Sequence, residues 1–564
     1  MRPTDVHGLP QHRARTDGVC RSQPVNQRNE PAKRSVDVVI IGAGPVGLSA
    51  AILLGRFGVD TLVVERRTER SRHPRSRAVS CRTMEVFREL GLTEEVRAAA
   101  LPGGPRRLLG SDAVSPWRSV VTSNAHASGP ADTSLGPETL DVVLCSQDAL
   151  EPILVDAAQA EDSVTLQFGK TVSTVNDTGA EVLVSITSDK GPEVVAAKYV
   201  IAADGAASQV RTALGIGSTG DQDLQTAVSV LFRSPVIQRR TGDPSSFIYL
   251  DNPDTIGAVV IAPVDATDRV AMLGRPLVMD RMPFEDIDWT TQIRDAIGDP
   301  DESVELMDAR TWTVGAWVAD RYQSGRILLA GDAVHVMPPY GGFNQNTGIQ
   351  DVHNIAWKLA AVLKGWADPA LLETYEVERR PVAVFNMAEA VRNFRSIVGN
   401  ADEGPRSFRP ENFVHPGLDI GFRYDRGAVA GATSPDAGWP VGTFTPTAAV
   451  GERAPHVWLN AEATVSTLDL FGRELTILAR PNSEPAREAA RRAEIHGIPY
   501  SSVTFGHLGD FVAAEAEWAA AYRVNGDEAI LVRPDGHVLA RLDGSDPGAA
   551  ERALLAYAGR TTAA

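Results

Sequence analysis

The stretch from Ser35 to Glu65, SVDVVIIGAGPVGLSAAILLGRFGVDTLVVE, constrains the fold more than any other part of the chain. It opens with the nearly continuous β-branched run Val36–Ile41, which is typical of a strand buried on both faces of a parallel sheet. A G-x-G-x-x-G pattern follows at Gly42–Gly47, then apolar positions at helical spacing, a second apolar run and the acid Glu65. This order of strand, glycine turn, helix, strand and acid predicts a Rossmann-type dinucleotide-binding unit.

Each part of this unit has a chemical reason to be there. The glycines of Gly42–Gly47 let the backbone approach a pyrophosphate, and the helix that follows presents N–H groups and the positive end of its dipole. Glu65 is placed to accept hydrogen bonds from ribose hydroxyls. The alternative is a tight turn that binds nothing. The presence of the strand, the helix, the second strand and the acid in the expected order and spacing argues against this alternative.

A second G-x-G-x-x-G, at Gly215–Gly220, lacks that context. It follows the helical segment SQVRTALG rather than a strand, so its glycines are expected to end a helix. We therefore predict one dinucleotide-binding unit and not two.

Charge and composition exclude several classes of function. The net charge of −17 and the pI of about 5.2 argue against a nucleic-acid or anionic-membrane surface. No apolar run approaches the roughly 20 residues that a membrane span needs. The three cysteines, Cys20, Cys81 and Cys145, are too widely spaced for a metal knuckle or a disulfide framework and fit a reducing cytoplasm.

Three short fragments extend the predicted nucleotide site. An arginine-rich run follows Glu65; the plain interpretation is a solvated face, but its position would let Arg66 and Arg77 lie over a pyrophosphate. Gln147 begins an amphipathic helix. Asp204-Gly205 ends an apolar strand, although an isolated Asp-Gly is usually only a turn.

The stretch LAGDAVHVMPPYGGFNQNTGIQD, Leu329 to Asp351, places unusual residues after a short apolar strand. Gly331-Asp332 falls at the carboxyl end of that strand, where open α/β sheets bind ligands. Thr347-x-x-Gln350 resembles a capping box and predicts a helix that begins at about Gly348. That helix start would stabilise negative charge on a ligand.

These motifs, in this order, resemble those of the single-component FAD-dependent aromatic hydroxylases. The matching elements are G-x-G-x-x-G with a distal acid, R-x-R-A, D-G-A-x-S, and G-D-A-x-H with P-P and N-T-G-I-Q-D. More narrowly, the chain is similar to bacterial enzymes that oxygenate aromatic polyketides. The resemblance covers roughly Val36 to Arg395 and continues into the tail. It implies an α/β protein of the p-hydroxybenzoate-hydroxylase type: a Rossmann-type FAD-binding domain, an inserted and mainly antiparallel β-sheet substrate domain, and a C-terminal thioredoxin-like α/β domain.

The resemblance also implies which residues hold FAD. Its cofactor-binding set is Gly42, Gly44, Pro45, Val46, Gly47, Glu65, Arg66, Arg77, Gln147, Asp204, Gly205, Gly331, Asp332, Pro339, Gly342, Gln345 and Asn346. Within this set, Asp332 is expected at the ribityl or riboside oxygens, and the backbone N–H groups of Gln345 and Asn346 at the pyrimidine edge of the isoalloxazine. Asn344 departs from the glycine common in the family, and Asn tolerates left-handed backbone geometry better than other side chains.

The remaining segments complete the expected domain layout. The FAD-binding domain comprises 35–216 and 322–400, the substrate domain 217–321 with part of 102–140, the linker 401–450 and the thioredoxin-like domain 451–564; residues 1–34 are a disordered extension. Candidate substrate contacts are Phe247, Tyr249, Met272, Trp312, Trp317 and Tyr340, for each of which core packing is the competing interpretation. The tail contains no cysteine, which excludes disulfide exchange there.

The family resemblance implies a metal-free reaction. NADPH or NADH reduces FAD, O₂ adds to form a flavin C4a-hydroperoxide, and oxygen passes to an electron-rich ring of a polycyclic aromatic substrate. No catalytic residue is assigned, and for His335 an acid/base role stands against simple packing beside Asp332. The alternatives are Baeyer–Villiger or other oxidative or reductive tailoring on the same fold, and a flavoprotein without turnover that sequesters an intermediate. A cytoplasmic monomer or homodimer is expected.

Overall fold

The computed structural model describes residues 34–69, 76–102, 106–116, 119–122, 135–138, 142–252, 256–398, 415–432 and 438–560. The expectation for residues 1–34 falls almost entirely outside these ranges, as does part of the 401–450 linker. The described residues form two eight-stranded sheets, one four-stranded sheet and one two-stranded sheet. No helix within these ranges has the length and apolar character to cross a membrane.

The first sheet is the nucleotide-binding sheet predicted from the sequence. Its main strand order is β16-β17-β10-β1-β2-β7, with parallel pairing from β17 through β7. The strands are β1 (Arg34–Ile41), β2 (Thr61–Glu65), β7 (Val164–Phe168), β8 (Thr171–Asp177), β9 (Val182–Ser188), β10 (Gly191–Ala202), β16 (Gln323–Ser324) and β17 (Ile327–Leu329). The centre of β1, from Val38 to Ile40, has no solvent exposure, as a strand covered on both faces requires.

Among the described residues, eight helices belong to the same part of the molecule. They are α1 (Pro45–Arg56), α2 (Cys81–Leu90), α3 (Thr93–Ala99), α4 (Gln147–Gln159), α5 (Gln209–Ala213), α8 (Phe343–Leu363), α9 (Thr374–Val398) and α10 (Pro416–Ile420). A two-stranded ribbon, β3 (Ala78–Val79) with β6 (Val143–Leu144), lies beside them. The helix α5 before Gly215 confirms that the second G-x-G-x-x-G ends a helix.

The second sheet is mainly antiparallel, as predicted, with the order β18-β15-β11-β14-β13-β12-β4-β5. Its strands are β4 (Arg106–Gly110), β5 (Ser119–Thr122), β11 (Ser218–Arg233), β12 (Phe247–Asn252), β13 (Gly257–Pro263), β14 (Arg269–Pro276), β15 (Glu305–Ala319) and β18 (His335–Val336). Two helices, α6 (Val236–Thr241) and α7 (Trp289–Ile297), pack on one face. The other face is called the open face here.

The third sheet forms the core of the C-terminal, thioredoxin-like domain. Its order is β20-β19-β21-β22, with β19 parallel to β20 and antiparallel to β21. Its elements are β19 (Leu475–Ala479), α11 (Glu484–His496), β20 (Tyr500–Thr504), α12 (Glu515–Ala521), β21 (Ala529–Val532), β22 (Val538–Leu542) and α13 (Ala549–Tyr557). The Pro534-Asp535-Gly536 turn joins β21 to β22 in a hairpin, as its sequence indicates.

Buried ion pairs join the C-terminal domain to the long helices of the first. Arg533 donates to both carboxylate oxygens of Glu378 in α9, at 2.8 and 2.9 Å. Lys358 of α8 donates to Glu378 at 2.8 Å, and Arg533 Nε donates to Asp535 at 3.0 Å. We call Lys358, Glu378, Arg533 and Asp535 the docking cluster; their side chains are 0–2% exposed. Two cations and two anions therefore balance inside the protein.

The predicted start of α8 was wrong. The helix begins at Phe343, after Gly342 at φ +71°, and not at about Gly348. Thr347 does not cap it, because its hydroxyl donates to the carbonyl of Phe343 at 2.9 Å inside the helix. The helix is buried on nearly all sides from Asn346 to Ala361.

Candidate functional site

Four parallel strands of the first sheet end at the same edge. The register pairs Ile41 of β1 with Val64 of β2 and with Ala202 of β10, and it pairs Ala202 with Leu329 of β17. The segments that follow these strands therefore meet: the glycine turn, Glu65, Asp204-Gly205 and Gly331-Asp332. This crevice at the carboxyl ends of the strands is where open α/β sheets bind ligands.

The three glycines of the first turn have different structural roles. A Cβ on Gly42, which has φ +105°, would lie 2.4 Å from the carbonyl oxygen of Ala203, and one on Gly47 would lie 2.0 Å from the carbonyl oxygen of Gly42. A Cβ on Gly44 would meet no atom within 4 Å. Gly42 and Gly47 are thus required by packing, whereas Gly44 leaves open space at the start of α1. Such open backbone beside a helix N-terminus fits a pyrophosphate.

Glu65 and Arg77 supply the charges that a nucleotide cofactor needs. The carboxylate of Glu65 accepts hydrogen bonds from the N–H groups of Ala43 and Arg67, both at 2.9 Å, which hold it beside the glycine turn. The Nε and Nη2 atoms of Arg77 are shielded from solvent and have no hydrogen-bond partner. Burial lowers the pKa of Arg77 to about 10, and Asp148 opposes that shift. A shielded guanidinium without a bonded anion fits a phosphate ligand.

The start of α4 links the nucleotide crevice to the second sheet. Gln147 donates from its backbone N–H to Ser76 at 2.9 Å and from its side chain to Glu151 at 2.6 Å. Its neighbour Asp148 forms an ion pair of 2.7 Å with Arg269 of β14. Arg269 lies on the open face, so this face of the second sheet is turned towards the crevice.

The turns after β10 and β17 are held by packing around Val46. A Cβ on Gly331 would lie 3.0 Å from Val46 Cγ2, and one on Gly348 would lie 2.7 Å from the same methyl group. Val46 therefore packs α1 against α8 and the Gly331–Ala333 turn. Asp204 accepts from the N–H of Val210 at 3.2 Å through Oδ2, and its Oδ1 is buried without a partner. Gly205 adopts φ +88° with open space beside it.

The N-terminus of α8 opens onto the same edge. Helical hydrogen bonds run from residue i to residue i−4, so the N–H groups of Phe343, Asn344 and Gln345 have no partner within the helix. The N–H of Asn346, expected at the flavin edge, is the first that the helix itself can use. The Asn346 side chain instead accepts from the N–H of Ser80 at 3.0 Å and donates to the carbonyl of Ala78 at 3.1 Å. This clamps the strand after Arg77 to the helix start.

The loop before α8 lies partly at the surface. Pro339 is exposed, whereas Gly342 and Tyr340 are half-buried. The Tyr340 ring packs against Phe394 of α9 with ring centroids 5.7 Å apart. Gln345 keeps one buried amide nitrogen, Nε2, without a partner.

A chain of polar side chains lies behind Asp332, and its members could not be connected from the sequence. Asn344 Nδ2 donates to Asp332 Oδ1 at 2.7 Å, and Asn344 Oδ1 lies 3.0 Å from His335 Nδ1. His335 Nε2 lies 2.9 Å from Asp351 Oδ2, and Arg379 Nε donates to Asp351 Oδ1 at 2.9 Å. We call these five residues the strand-end cluster. The sequence carried one signal for it, the spacing of polar residues inside the buried start of α8.

The candidate substrate residues separate into two groups. Phe247 and Tyr249 of β12 and Trp312 of β15 lie on the open face, and Tyr249 is hydrogen-bonded to the buried Arg107. Met272 does not lie there. It is 0% exposed in the core with Val230, Ile261 and Ile293, on the face covered by α6 and α7. This corrects its assignment, because alternate residues of β14 face opposite sides of the sheet.

Trp317 is a packing residue behind the strand ends. It is 5% exposed, and the guanidinium of Arg211 lies 4.3 Å from its ring centroid. Arg211 also donates to the carbonyl of Ala333 at 2.9 Å. Trp317 thus supports the Gly331–Ala333 turn through Arg211.

The residues present fit FAD. Open space at Gly44, the shielded guanidinium of Arg77 and the free N–H groups at the start of α8 are features that a flavin dinucleotide would use, and one dinucleotide turn lies beside one open sheet face. Among the described residues no group of three or more His, Cys, Asp or Glu side chains is arranged to hold a metal ion.

Comparison with known proteins gives matches over nearly the whole chain. A profile of the FAD binding domain matches residues 35–390, and a profile described as aromatic-ring hydroxylase, C-terminal, matches residues 447–561. A putative polyketide hydroxylase of Streptomyces halstedii is 36% identical over 532 residues, which cover 89% of this chain and 92% of that protein.

Solved structures agree with these sequence matches. The flavin-dependent monooxygenase PieE, in complex with FAD and substrate, superimposes with a TM-score of 0.84 at 30% identity, over 93% of this chain and 98% of that one. The rebeccamycin biosynthetic enzyme RebC, soaked with chromopyrrolic acid and holding 7-carboxy-K252c, superimposes with a TM-score of 0.82 at 29% identity, over 94% of this chain and 100% of that one.

Proposed function

The chain belongs to the FAD-dependent aromatic-ring hydroxylases, which are flavoprotein monooxygenases, and from that premise we propose that it hydroxylates a polycyclic, polyketide-type aromatic compound with NADPH or NADH and O₂. The observation that carries this proposal is the placement of the strand-end crevice beside the open face with Phe247, Tyr249 and Trp312. A flat substrate between them would lie against the cofactor. The Streptomyces relative supports the substrate class.

The residues divide the work of holding FAD. The start of α1 would bind the pyrophosphate through the open backbone at Gly44, with Arg77 as the paired cation, and Glu65 would accept from the ribose. Asp332 would meet the ribityl chain. When bound, FAD supplies the redox chemistry, taking up reducing equivalents and passing one atom of O₂ to the ring.

The remaining contributions of the protein are electrostatic and geometric. The free N–H groups of Phe343, Asn344 and Gln345 stabilise negative charge near the start of α8. The second sheet would cover the substrate and exclude water, which limits loss of the activated oxygen to solvent. Only one dinucleotide turn occurs in the described parts of the chain, so the nicotinamide cofactor is proposed to visit the flavin transiently. A cytoplasmic location and a monomer or homodimer complete the proposal.

The first test is reduction of the bound flavin without oxygen. FAD-loaded protein is mixed anaerobically with NADPH or NADH, with and without a panel of polycyclic phenols, and the loss of flavin absorbance is timed. We expect an aromatic ligand to accelerate reduction by at least about tenfold, and oxygen admitted afterwards to yield a product heavier by one oxygen atom. Fast reduction with no oxygenated product for any ligand would contradict the hydroxylase proposal.

One observation favours a second candidate. The structure of RebC, supplied with chromopyrrolic acid, holds a different compound, 7-carboxy-K252c. We therefore keep as an alternative a flavoprotein that captures an unstable aromatic intermediate rather than oxygenating a stable substrate. Under this alternative, mass spectrometry of the protein after incubation would find a retained compound that was not supplied, while NADPH oxidation stays unlinked to product.

A further inference from the structure

His335 lies between two groups that can only accept hydrogen bonds from it. The amide of Asn344 is oriented by its Nδ2, which donates to the carboxylate of Asp332 at 2.7 Å. Its carbonyl oxygen therefore faces His335 Nδ1 at 3.0 Å. On the other side of the ring, Nε2 faces the carboxylate of Asp351 at 2.9 Å. The reverse orientation of Asn344 would put its carbonyl oxygen against the Asp332 carboxylate.

Two acceptors require two ring N–H groups, and an imidazole with both N–H groups is a cation. The side chains of His335 and Asp351 are 0% exposed, so water does not replace either acceptor. Arg379 donates to Asp351 at 2.9 Å from α9, and the backbone N–H of Gly331 donates to Asp351 at 3.4 Å. Asp351 is thus held as an acceptor from three sides.

The charged and polar groups around His335 also favour its protonated form. Burial alone lowers the pKa of His335, but the opposing effects of Asp351 and Asn344 in α8 and of Asp332 in the turn after β17 raise it overall. Arg379 of α9 is a cation on the far side of Asp351 and is paired with it. Arg211 of α5 donates to the carbonyl of Ala333 and is drawn towards Asp204.

We propose that His335 is a protonated positioning residue and that Asn344 transmits its position to Asp332, so that the ribityl-binding carboxylate is fixed by a buried cation on the far side of an amide bridge. The proposal rests on the proposed FAD site. It assigns Asn344 a second task besides donating a backbone N–H: its side chain connects the turn after β17 to the buried face of α8.

The bridge explains why both ends of the amide are used. A carboxylate at the rim of the crevice must keep its orientation whether or not the cofactor is present. The donor of Asn344 restrains Asp332, and its acceptor is itself restrained by His335, which Asp351 and Arg379 hold from behind. Hydrogen bonds to charged groups are stronger than those between neutral groups. Loss of the bridge is therefore expected to weaken FAD binding.

The charge of His335 can be measured without any turnover. In protein labelled with ¹⁵N-histidine, long-range ¹H–¹⁵N spectra distinguish the imidazolium from the two neutral tautomers, and His335→Gln assigns the signal. We expect imidazolium shifts for both nitrogens of His335 at pH 7.5, above the usual histidine pKa of about 6.5. Shifts of a neutral tautomer at that pH would overturn the proposal. This measurement does not depend on FAD or on the proposed reaction.

The bridge is then tested by FAD affinity. Asn344→Leu is nearly isosteric and removes both hydrogen bonds, and we expect its dissociation constant for FAD to rise by roughly tenfold or more. Asn344→Asp keeps an acceptor for His335 but places a second carboxylate against Asp332; we expect at least as large a loss, with His335 protonated to a higher pH. If Asn344→Leu does not fold, the aspartate variant and the wild-type spectra still decide the question.

A matched control and a double-mutant cycle separate positioning from general destabilisation. Asn354→Leu makes the same change at another buried residue of α8, which bonds Glu378 at 2.7 Å and has no contact with Asp332. It should lower stability but leave the FAD dissociation constant within about twofold. His335→Gln should weaken FAD binding, and combining it with Asn344→Leu should add little, because the two residues act through one path.

Each outcome has one meaning. Unchanged FAD affinity in Asn344→Leu, or strictly additive effects of the two substitutions, would overturn the bridge even if the enzyme hydroxylates its substrate. Failure of the wild-type protein to bind FAD would instead contradict the proposed function, and the ¹⁵N spectra would still report the charge of His335.

Discussion

Two buried charged clusters lie on α8 and α9, and they differ in whether one side faces a ligand site. The docking cluster pairs Lys358 and Arg533 with Glu378 and Asp535 and has no member more than 2% exposed. The strand-end cluster runs from the buried Arg379 and Asp351 through His335 to Asp332, which is only half-buried at the rim of the crevice. Similar ionic groups therefore stabilise the fold where the cluster is closed to solvent and position a ligand-binding carboxylate where one end of the cluster faces the crevice.

The largest effect is expected in the closed cluster. Glu378→Leu leaves Lys358 and the Arg533 guanidinium buried without their shared carboxylate, which accepts from both at 2.8–2.9 Å. Breaking a buried ion pair from one side costs about 3–5 kcal/mol. Denaturant unfolding should show this loss, whereas FAD affinity of the folded protein should stay within about twofold. A comparable loss of FAD affinity would show that the docking cluster also affects cofactor binding and would contradict the difference between the two clusters.

The pH dependence of stability should differ in sign between the clusters. Burial alone raises the pKa of Glu378, but Arg533 and Lys358 outweigh it and bring the pKa from 4.5 to about 2. A depressed carboxyl pKa contributes stability above pH 4.5, on the order of 3 kcal/mol, that is lost as the pH falls towards 2. The raised pKa of His335 contributes stability below its ordinary value of 6.5 that is lost as the pH rises through the folded-state value.

Two variants, each compared with wild type over a range of pH, test these opposite pH dependences. The difference in unfolding free energy between wild type and Glu378→Gln should shrink below pH 4.5, and the difference between wild type and His335→Gln should shrink above pH 6.5. Chemical denaturation at pH intervals from 3 to 9 measures both. A His335 difference that grows with pH would mean that the folded-state pKa is lowered and that the ring is neutral.

A smaller loss of stability is expected from a substitution at Gly47, which is closely packed inside the glycine turn. A Cβ there would lie 2.0 Å from the carbonyl oxygen of Gly42, which is backbone and cannot turn aside. Gly47→Ala must push α1 away from β1, and overpacking of this kind costs roughly 1–3 kcal/mol. Thermal unfolding of the protein without FAD checks the change; an unaffected melting temperature would show that α1 can shift freely.

The predictable part of the fold is the part encoded by neighbouring residues. The β1-α1-β2 unit follows from contiguous strand, glycine and helix patterns, and Asp204 and Asp332 could be assigned to strand ends because each directly follows an apolar run. The antiparallel second sheet was expected from the family resemblance. For the β1-α1-β2 unit and the two strand ends, the residues that determine the local structure are neighbours in the sequence.

The rest depended on contacts between distant residues. Asp351 is 16 residues from His335 and 28 from Arg379, so no local pattern reports their pairing. The start of α8 was misplaced because the helix begins after Gly342, at φ +71°, without a side-chain cap, while Thr347 only resembles a capping residue. Met272 was misassigned because β14 carries apolar side chains on both faces, and only the helices α6 and α7 decide which face is the core.

The smallest effect on stability, and the sharpest on binding, is expected at Gly44. Its φ of −78° suits any residue and a Cβ would meet nothing within 4 Å, so Gly44→Ala should change the unfolding free energy of FAD-free protein by less than about 0.5 kcal/mol. The methyl group would nevertheless fill the space proposed for the pyrophosphate, and we expect FAD affinity to fall by roughly tenfold or more. Gly47→Ala is the matched control within the same turn. If Gly44→Ala binds FAD like wild type, the open space at the start of α1 is not the phosphate site. FAD affinity would then not distinguish the open position Gly44 from the closely packed position Gly47.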